Sequence, residues 1–309
     1  MSSGRRIAII AGSVAIVAAL AVGAGFAFER EPDPAYDDDK AFAALLASTT
    51  VTVPPDVTLP EASGAVAVKP TDPSVVLSKV ALRFPLSDLR IELPAEKTHG
   101  VDAKYKRDGA NGLYVTELGE VLAWAKRKDG QARTAGGQDP TASTLTVLAD
   151  RTTPYRLLLE TLFTATQSDF RHFALAVRRG DRLSAFETPT SKRDVPVRMP
   201  TPTQGLTVLV VSEGISMKAS GGNVAPGCKE VGPGLAVGKA PDGSYDFAAL
   251  RRCALQIKGT FADFADEIAV AISASADVPY EVVVKTIEAL STTDDGKDLF
   301  PAFSLGLGK

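Results

Sequence analysis

Two stretches of the chain, 125 positions apart, follow the same pattern. Residues 147–165 read VLADRTTPYRLLLETLFTA, and residues 272–290 read ISASADVPYEVVVKTIEAL. In each, an apolar run ends at a polar turn, and a Pro-Tyr pair then opens a series of apolar residues at helical spacing. Proline suits the first turn of a helix, because the N–H that it lacks would have no intrahelical partner there. A period of this length indicates duplicated domains rather than a solenoid.

The segments around the two Pro-Tyr helices extend the repeat. A chain of 309 residues has room for about two domains. Each copy is predicted to hold a hairpin, a helix, a strand, the Pro-Tyr helix and a last strand. In the first copy these segments are 74–84, 88–93, 112–128, 144–150, 155–166 and 170–179; in the second they are 205–221 with a Glu213-Gly214 turn, 244–262, 267–275, 280–290 and 302–309. The sequence therefore predicts two α+β, two-layer domains at 74–184 and 204–309, joined by a proline-rich linker at 185–203.

The first residues of the chain predict a membrane anchor. Arg5 and Arg6 precede 22 uncharged residues at 7–28. A helix of that length spans ~33 Å and can cross a hydrocarbon core of ~30 Å. The basic end should remain in the cytoplasm, which places nearly all of the chain on the other side. We therefore interpret 1–28 as a cytoplasmic stub and transmembrane helix. A signal peptide cleaved before Phe28 is the alternative, because small residues lie at Gly25 and Ala27.

Small residues recur at every fourth position of this apolar segment. Such a stripe lets a second helix approach closely in lipid, although an alanine-rich composition alone can also produce it. The stripe consists of Ala11, Ala15, Ala19, Gly23 and Ala27. Residues 29–73 follow, and because 51–73 is dense in proline and small residues, this part is predicted to be an extended tether.

The two cysteines, Cys228 and Cys253, lie 25 positions apart in the part predicted to be exported. A disulfide is plausible in an oxidising compartment and would contribute ~3 kcal/mol in the chain-entropy model. Two independent buried thiols are the alternative. No C-x-x-C spacing or neighbouring histidine indicates a metal site.

No residue pattern predicts catalysis or cofactor binding. His172 lies in a strand-like segment and is interpreted as structural, and His99 lies in a polar loop without an evident partner. The chain has no G-x-S-x-G sequence. Residues 232–240 depart from a phosphate-binding loop at Pro233 and Ala240. The net charge of −3 gives no uniform field that would attract nucleic acid. We therefore predict a non-enzymatic protein with no catalytic residue, no cofactor, no metal and no nucleic-acid partner.

The segment TLTVLADRTTPYRLLLETLFTATQSDFRHFALAV, residues 144–177, resembles the ExbD/TolR family of envelope energy-transducing proteins. Ala149, Asp150, Pro154 and Tyr155 occupy the matching positions of the family's segment of strand, Ala-Asp, Pro-Tyr and helix. The second copy repeats the segment with Ser275 in place of Asp150, and residues 56–64 resemble the family's Leu-Pro tether. The resemblance implies an inner-membrane protein with its bulk in the periplasm. It also implies an ExbB/TolQ-like membrane partner, contact with peptidoglycan, and a homodimer.

The chain departs from this family in its membrane segment. Proton-coupled members carry an aspartate there, whereas residues 7–28 contain no ionisable group. Two predicted periplasmic domains also replace one. The resemblance therefore implies an accessory component of an energy-transducing or biopolymer transport assembly. The alternative is a periplasmic scaffold, or a module that binds peptidoglycan or protein, without a motor; an envelope hydrolase is a third class. The difference between Asp150 and Ser275 predicts that the two copies have different roles.

Overall fold

A computed structural model describes residues 51–64, 66–67, 73–95, 100–187, 205–219, 221–261 and 264–307. All of them belong to one compact unit, Asp38–Lys309. The described residues form two mixed sheets and four α-helices, which confirms the predicted α+β class. The predicted anchor at 7–28, its stripe of small residues and His99 lie outside the described residues. Among the helices that the structure describes, none combines the length and the apolar composition needed to span a membrane.

The first half contains a seven-stranded sheet with two helices. Its strands are β1 (Val66–Ala67), β2 (Ser74–Leu77), β3 (Ala81–Arg83), β4 (Arg90–Glu92), β5 (Thr144–Ala149), β6 (His172–Arg179) and β7 (Arg182–Glu187), and its helices are α1 (Thr116–Ala135) and α2 (Tyr155–Gln167). The strand order is β1-β7-β6-β5-β2-β3-β4. Strands β2, β5 and β6 run parallel, and the remaining pairs are antiparallel.

The second half repeats this plan with a different periphery. Its strands are β8 (Thr207–Val211), β9 (Gly214–Ala219), β10 (Gly222–Asn223), β11 (Val237–Gly238), β12 (Ala269–Ala274) and β13 (Ala302–Leu307), and its helices are α3 (Phe247–Thr260) and α4 (Tyr280–Ser291). The main strand order is β10-β9-β8-β12-β13, with β11 also paired to β9. The order β9-β8-β12-β13 has the same strand directions as β3-β2-β5-β6. The two halves therefore share a four-stranded frame with two helices.

The Pro-Tyr helices bury the same face in both halves. In α2 the buried apolar positions include Tyr155, Leu158 and Leu162, and in α4 they include Tyr280 and Val283. Both sets belong to one cluster of buried apolar side chains that contains residues of both sheets. The apolar spacing read from the sequence therefore marks the core-facing stripe of each helix.

The predicted tether was wrong for residues 51–64, which pack against the first half. Val51, Val57 and Leu59 are buried, while the intervening Thr58 is exposed. This period of two is the pattern of an extended segment with one face on a sheet, and the surrounding prolines obscure it in the sequence. We call residues 51–64 the strap.

Two further predicted boundaries differ from the structure. Strand β7 continues through Glu187, so the first residues of the predicted 185–203 linker belong to the sheet. Residues 188–204 are not among the described residues. In the second hairpin the turn is Ser212-Glu213, because Gly214 already pairs with Val211.

A disulfide joins Cys228 to Cys253, the pairing that the sequence had left open. Cys253 lies on the buried side of α3, and Cys228 lies in the loop between β10 and β11. Cys228 has a φ of 59°, in the left-handed region that non-glycine residues rarely occupy. The bond therefore fixes a loop of irregular conformation to the helix beneath it.

Candidate functional site at the junction of the two halves

The two Pro-Tyr turns lie side by side and form an antiparallel backbone pair. Four hydrogen bonds connect them: Tyr155 N–H to the carbonyl of Val278 (2.8 Å), Tyr280 N–H to that of Thr153 (2.7 Å), Arg156 N–H to that of Ala276 (3.0 Å) and Glu281 N–H to that of Arg151 (3.0 Å). Residues 125 positions apart are equivalent in the two copies. The bond from Tyr155 to Val278 is thus equivalent to that from Tyr280 to Thr153, and the bond from Arg156 to Ala276 is equivalent to that from Glu281 to Arg151. The contact therefore has a local pseudo-two-fold axis, which makes it isologous in the sense used for symmetric dimers.

The position of the prolines explains why the backbone pair tolerates them. Pro154 lies directly opposite Pro279. The four bonds involve the residues on either side of the prolines, so Pro154 and Pro279 form a non-hydrogen-bonded pair of the ladder. At such a position the N–H would point away from the partner, and its absence costs no ladder bond. Each proline can therefore lie at the start of a helix and also pair with the equivalent proline of the other half.

The two tyrosines that follow the prolines each reach into the opposite half. The Tyr155 hydroxyl donates to the carbonyl of Gly306 in β13 (2.5 Å), and the Tyr280 hydroxyl donates to that of Ala176 in β6 (3.0 Å). Ala176 and Gly306 are equivalent, because β6 and β13 pair with β5 and β12 in the same register. Both tyrosines are at most 1% exposed. Burial raises the pKa of both phenols, so they act as neutral hydrogen-bond donors across the junction.

Asp150 links the first Pro-Tyr turn to the strap. Its carboxylate accepts hydrogen bonds from the N–H of Thr58 (2.8 Å) and from the N–H (3.0 Å) and hydroxyl (2.6 Å) of Thr152. Burial raises the pKa of this carboxyl, but the bonds from Thr152 and Thr58 outweigh that effect and hold the pKa below its ordinary value. A fully buried carboxylate thus fixes both the turn before α2 and the course of the strap.

The strap crosses the outer face of the first sheet. Its apolar side chains, Val51, Val57 and Leu59, pack on Val76, Leu148 and Ala176. Its backbone also bonds to the first half at Thr58 and Pro60: Arg151 N–H, just after β5, donates to the carbonyl of Thr58 (2.7 Å), and Arg178 N–H in β6 donates to that of Pro60 (2.8 Å). The strap is therefore a part of the first half and not a free spacer.

The end of the strap contacts the second half. The N–H of Ser63 donates to Oε1 of Glu288 on α4 (2.7 Å), and the Ser63 hydroxyl donates to the same oxygen. Lys285 donates to the other oxygen (3.0 Å). Burial raises the pKa of the Glu288 carboxyl, and the Ser63 and Lys285 contacts more than offset it, so the pKa lies below its ordinary value. One segment of 14 residues therefore holds both halves through two carboxylates.

Ser275 repeats the backbone role of Asp150 without its side-chain role. Asp150 N–H donates to Leu77 in β2, and Ser275 N–H donates to Val210 in β8, each at the equivalent strand position. Both carbonyls then accept from the residue three positions later, Thr153 or Val278. The Asp150 side chain differs because it holds the strap. The predicted difference between the copies thus corresponds to a strap contact made by the first copy.

A second buried carboxylate, for which the sequence gave no prediction, lies on α2 and supports the loop at residues 100–106 that precedes α1. Glu160 is fully buried and pairs with Lys106 (2.6 Å) and Arg156 (2.7 Å). It also accepts the N–H of Val101 (2.8 Å), and a side chain at Gly100 would collide with it. Position 285, its equivalent in the second copy, is a lysine. This ion cluster holds one loop of the first half in place and has the geometry of a structural support.

The histidine predicted to be structural lies in β6. His172 is half-buried, and its Nδ1 has no hydrogen-bond partner among the described residues. Burial, together with the nearby Lys126 and Arg171 charges, lowers its pKa. The residues that the structure describes contain no cluster of three or more potential metal ligands.

Comparison of the chain with protein-family models, with curated proteins and with solved structures gives no match. The fold and the junction together define a class of protein. It is an α+β protein with two halves of similar fold, whose Pro-Tyr turns pair with each other and whose strap contacts both halves.

Proposed function

We propose that this protein is a non-enzymatic, inner-membrane-anchored periplasmic component of an ExbB/ExbD-like or TolQ/TolR-like energy-transducing or biopolymer transport assembly. In this proposal, residues 1–28 anchor the chain and the two halves are tandem ExbD/TolR-like periplasmic domains. Its role is accessory, because residues 7–28 lack the carboxylate that moves protons in the family it resembles. The partners would be an ExbB/TolQ-like membrane protein and peptidoglycan.

The course of the strap is the observation that carries the proposal. The chain emerging from the proposed anchor reaches the described residues at Val51, and the next 13 residues contact the sheet of the first half and α4 of the second. A displacement of the N-terminal chain relative to the cell wall would therefore act first on the strap. Through Asp150 and Glu288 it would then act on the junction of both halves. A component that transmits or limits movement between membrane and wall needs such a connection.

A periplasmic scaffold without a motor is the second candidate, and the uncharged membrane segment favours it. A chain with no ionisable group in lipid cannot itself supply a proton site. In that case the anchor and strap would hold the two halves at a set distance from the membrane, and the binding partner would be peptidoglycan or another envelope protein.

Co-purification from detergent-solubilised membranes distinguishes the two candidates. The motor-associated function predicts that a multi-helix membrane protein is recovered with the chain. It also predicts that the substitutions Ala15→Leu, Ala19→Leu and Gly23→Leu, which fill the stripe, abolish this recovery. A matched control, Ala21→Leu with Ala24→Leu, enlarges small residues off the stripe and should leave recovery unchanged. Recovery of the chain without any membrane partner would favour the scaffold.

Sequencing the mature N-terminus tests the anchor itself. An N-terminus at or near Met1 is expected for an uncleaved anchor. A mature protein that begins at Phe28 would refute the membrane-anchored proposal, since the positive flank and the apolar segment would then be a removed signal.

A further inference from the structure

Strand β13 ends the second sheet, and none of the described strands pairs with its outer edge. It pairs in parallel with β12 along six residues, and no other described strand lies beside it. Ala302 N–H donates to the carbonyl of Ile268, so the backbone groups of residues 302, 304 and 306 face β12. The N–H and C=O groups of Phe303, Leu305 and Leu307 therefore face away from the sheet.

In the first half, a strand covers the edge that is equivalent to the outer edge of β13. There, β7 runs antiparallel along the outer edge of β6, with Phe186 opposite Leu175 and Ala185 opposite Ala176. By strand register, Leu175 and Ala176 correspond to Leu305 and Gly306. The two residues of β6 are fully buried, whereas their counterparts in β13 are partly exposed.

The crossing tyrosine leaves room for a strand at this edge. Ala176 accepts the Tyr280 hydroxyl and at the same time pairs with Ala185 of β7. Because Gly306 receives the Tyr155 hydroxyl in the equivalent way, that contact is compatible with a strand beside β13.

The edge of β13 also lacks the features that protect exposed edges. Its sequence, AFSLGL, contains no charged residue and no proline. By contrast, β4 at the edge of the first sheet has three residues, two of them the exposed Arg90 and Glu92. Long apolar edges pair readily with other strands, and short charged edges resist such pairing. Of these two edges, only that of β13 is suited to pair with a further strand.

We propose that β13 binds an extended segment of a partner polypeptide, which adds antiparallel to its outer edge. The binding segment would carry a large apolar residue opposite Leu305 and a small residue opposite Gly306, the positions that Phe186 and Ala185 hold on β6. Main-chain hydrogen bonds provide affinity in this mode, and the alternating side chains provide selectivity. We favour a partner over a second copy, because the strand that covers the equivalent edge of β6 is β7, RLSAFE, whose sequence differs from that of β13, AFSLGL. The proposal holds for either candidate function.

A peptide with the sequence of β7, residues 181–187 (DRLSAFE), is the probe. It is titrated into the full chain in detergent micelles, with affinity measured by calorimetry and amide hydrogen exchange followed residue by residue. Binding should slow exchange of the Leu305 amide and leave the Leu175 amide unchanged, since β7 already covers that edge. N-methylation of the peptide at Ser184 and Phe186 removes the two N–H groups that face the edge. Affinity should then fall about ten-fold or more, from the loss of two hydrogen bonds.

The matched control is the same peptide N-methylated at Leu183 and Ala185, where the N–H groups face away. It should bind within about three-fold of the unmodified peptide. A Leu305→Pro variant should also lose binding, because proline at 305 removes an outward N–H and keeps the bonds to β12.

Several results would overturn the proposal. Equal binding of both methylated peptides, or no binding at about 1 mM peptide, would exclude strand addition. Slow exchange of the Leu305 amide in a free, monomeric chain would mean that another segment of the same chain covers the edge. A free chain that sediments as a dimer, and becomes monomeric with Leu305→Pro, would identify a second copy as the occupant.

Discussion

Replacing Asp150 by serine makes the first copy match the second at this position, and it should loosen the strap. Asp150 accepts three hydrogen bonds, of which only the one from Thr58 holds the strap directly. A serine hydroxyl is too short to reach Thr58, as the carboxylate does from the end of a longer side chain. The N–H of Thr58 in the strap would then lose its charged acceptor.

The expected loss follows from the nature of this bond. A hydrogen bond to a charged group contributes about 1.5 to 3 kcal/mol. The two donors of Thr152 lie at an exposed position, and water can replace their acceptor. Removing a buried carboxylate also returns part of its desolvation cost. Asp150→Ser should therefore lower the free energy of unfolding by about 2 kcal/mol, which corresponds to a change of about 30-fold in the equilibrium constant.

Urea unfolding of the full chain in detergent micelles measures this loss, and hydrogen exchange locates it. Exchange should accelerate for Thr58, for Ala62 and for Arg178, whose N–H bonds to the strap. Thr152→Ala is the control, because it removes a hydroxyl from the same carboxylate but leaves the strap bond intact; it should cost about 0.5 kcal/mol. Equal losses in the two variants, or unchanged exchange in the strap, would refute the role assigned to Asp150.

Three further outcomes are expected. Tyr155→Phe and Tyr280→Phe should each cost about 1 kcal/mol in urea unfolding, because each leaves an equivalent carbonyl without its donor; very unequal losses would contradict the pseudo-two-fold junction. Replacing both Cys228 and Cys253 by serine should lower the free energy of unfolding by about 3 kcal/mol for a loop of this length, and an unchanged value would exclude a stabilising disulfide. Glu288 has a folded-state pKa below its ordinary 4.5, so its contribution is present above that pH and is lost as pH falls through the lowered value. The stability of Glu288→Gln should therefore fall less than that of the unmodified chain when the pH is lowered from 5 to 3; parallel curves would show that Glu288 does not contribute.

The sequence contained most of the repeated frame. The Pro-Tyr pairs mark the starts of α2 and α4, because proline at a helix start and apolar residues at helical spacing are local signals. Strand β7 went unrecognised because its alternation continues into a proline-rich segment, which reads as a linker. The strap was missed for a similar reason, since its prolines resemble those of a flexible tether.

The junction itself could not be predicted from local patterns. Pairing of residues 151–156 with 276–281 is a contact between distant parts of the chain, and neither helical spacing nor turn composition specifies it. The clearest signal in the sequence was the difference between Asp150 and Ser275, which indicated unequal roles of the two copies but not the strap. Glu160 gave a weaker signal, a carboxylate on the core-facing side of an amphipathic helix.

The pseudo-two-fold junction has a consequence for how such a protein can change over generations. In a homodimer, a single substitution appears in both subunits, and every gain on one side is imposed on the other. Here the two members of the pair are encoded separately and are always present in equal number. One half can therefore have a strap contact at position 150 and a closing strand β7, while the other has Ser275 and an edge that no described strand covers. Joining the two copies in one polypeptide is what allows a symmetric pair to become asymmetric.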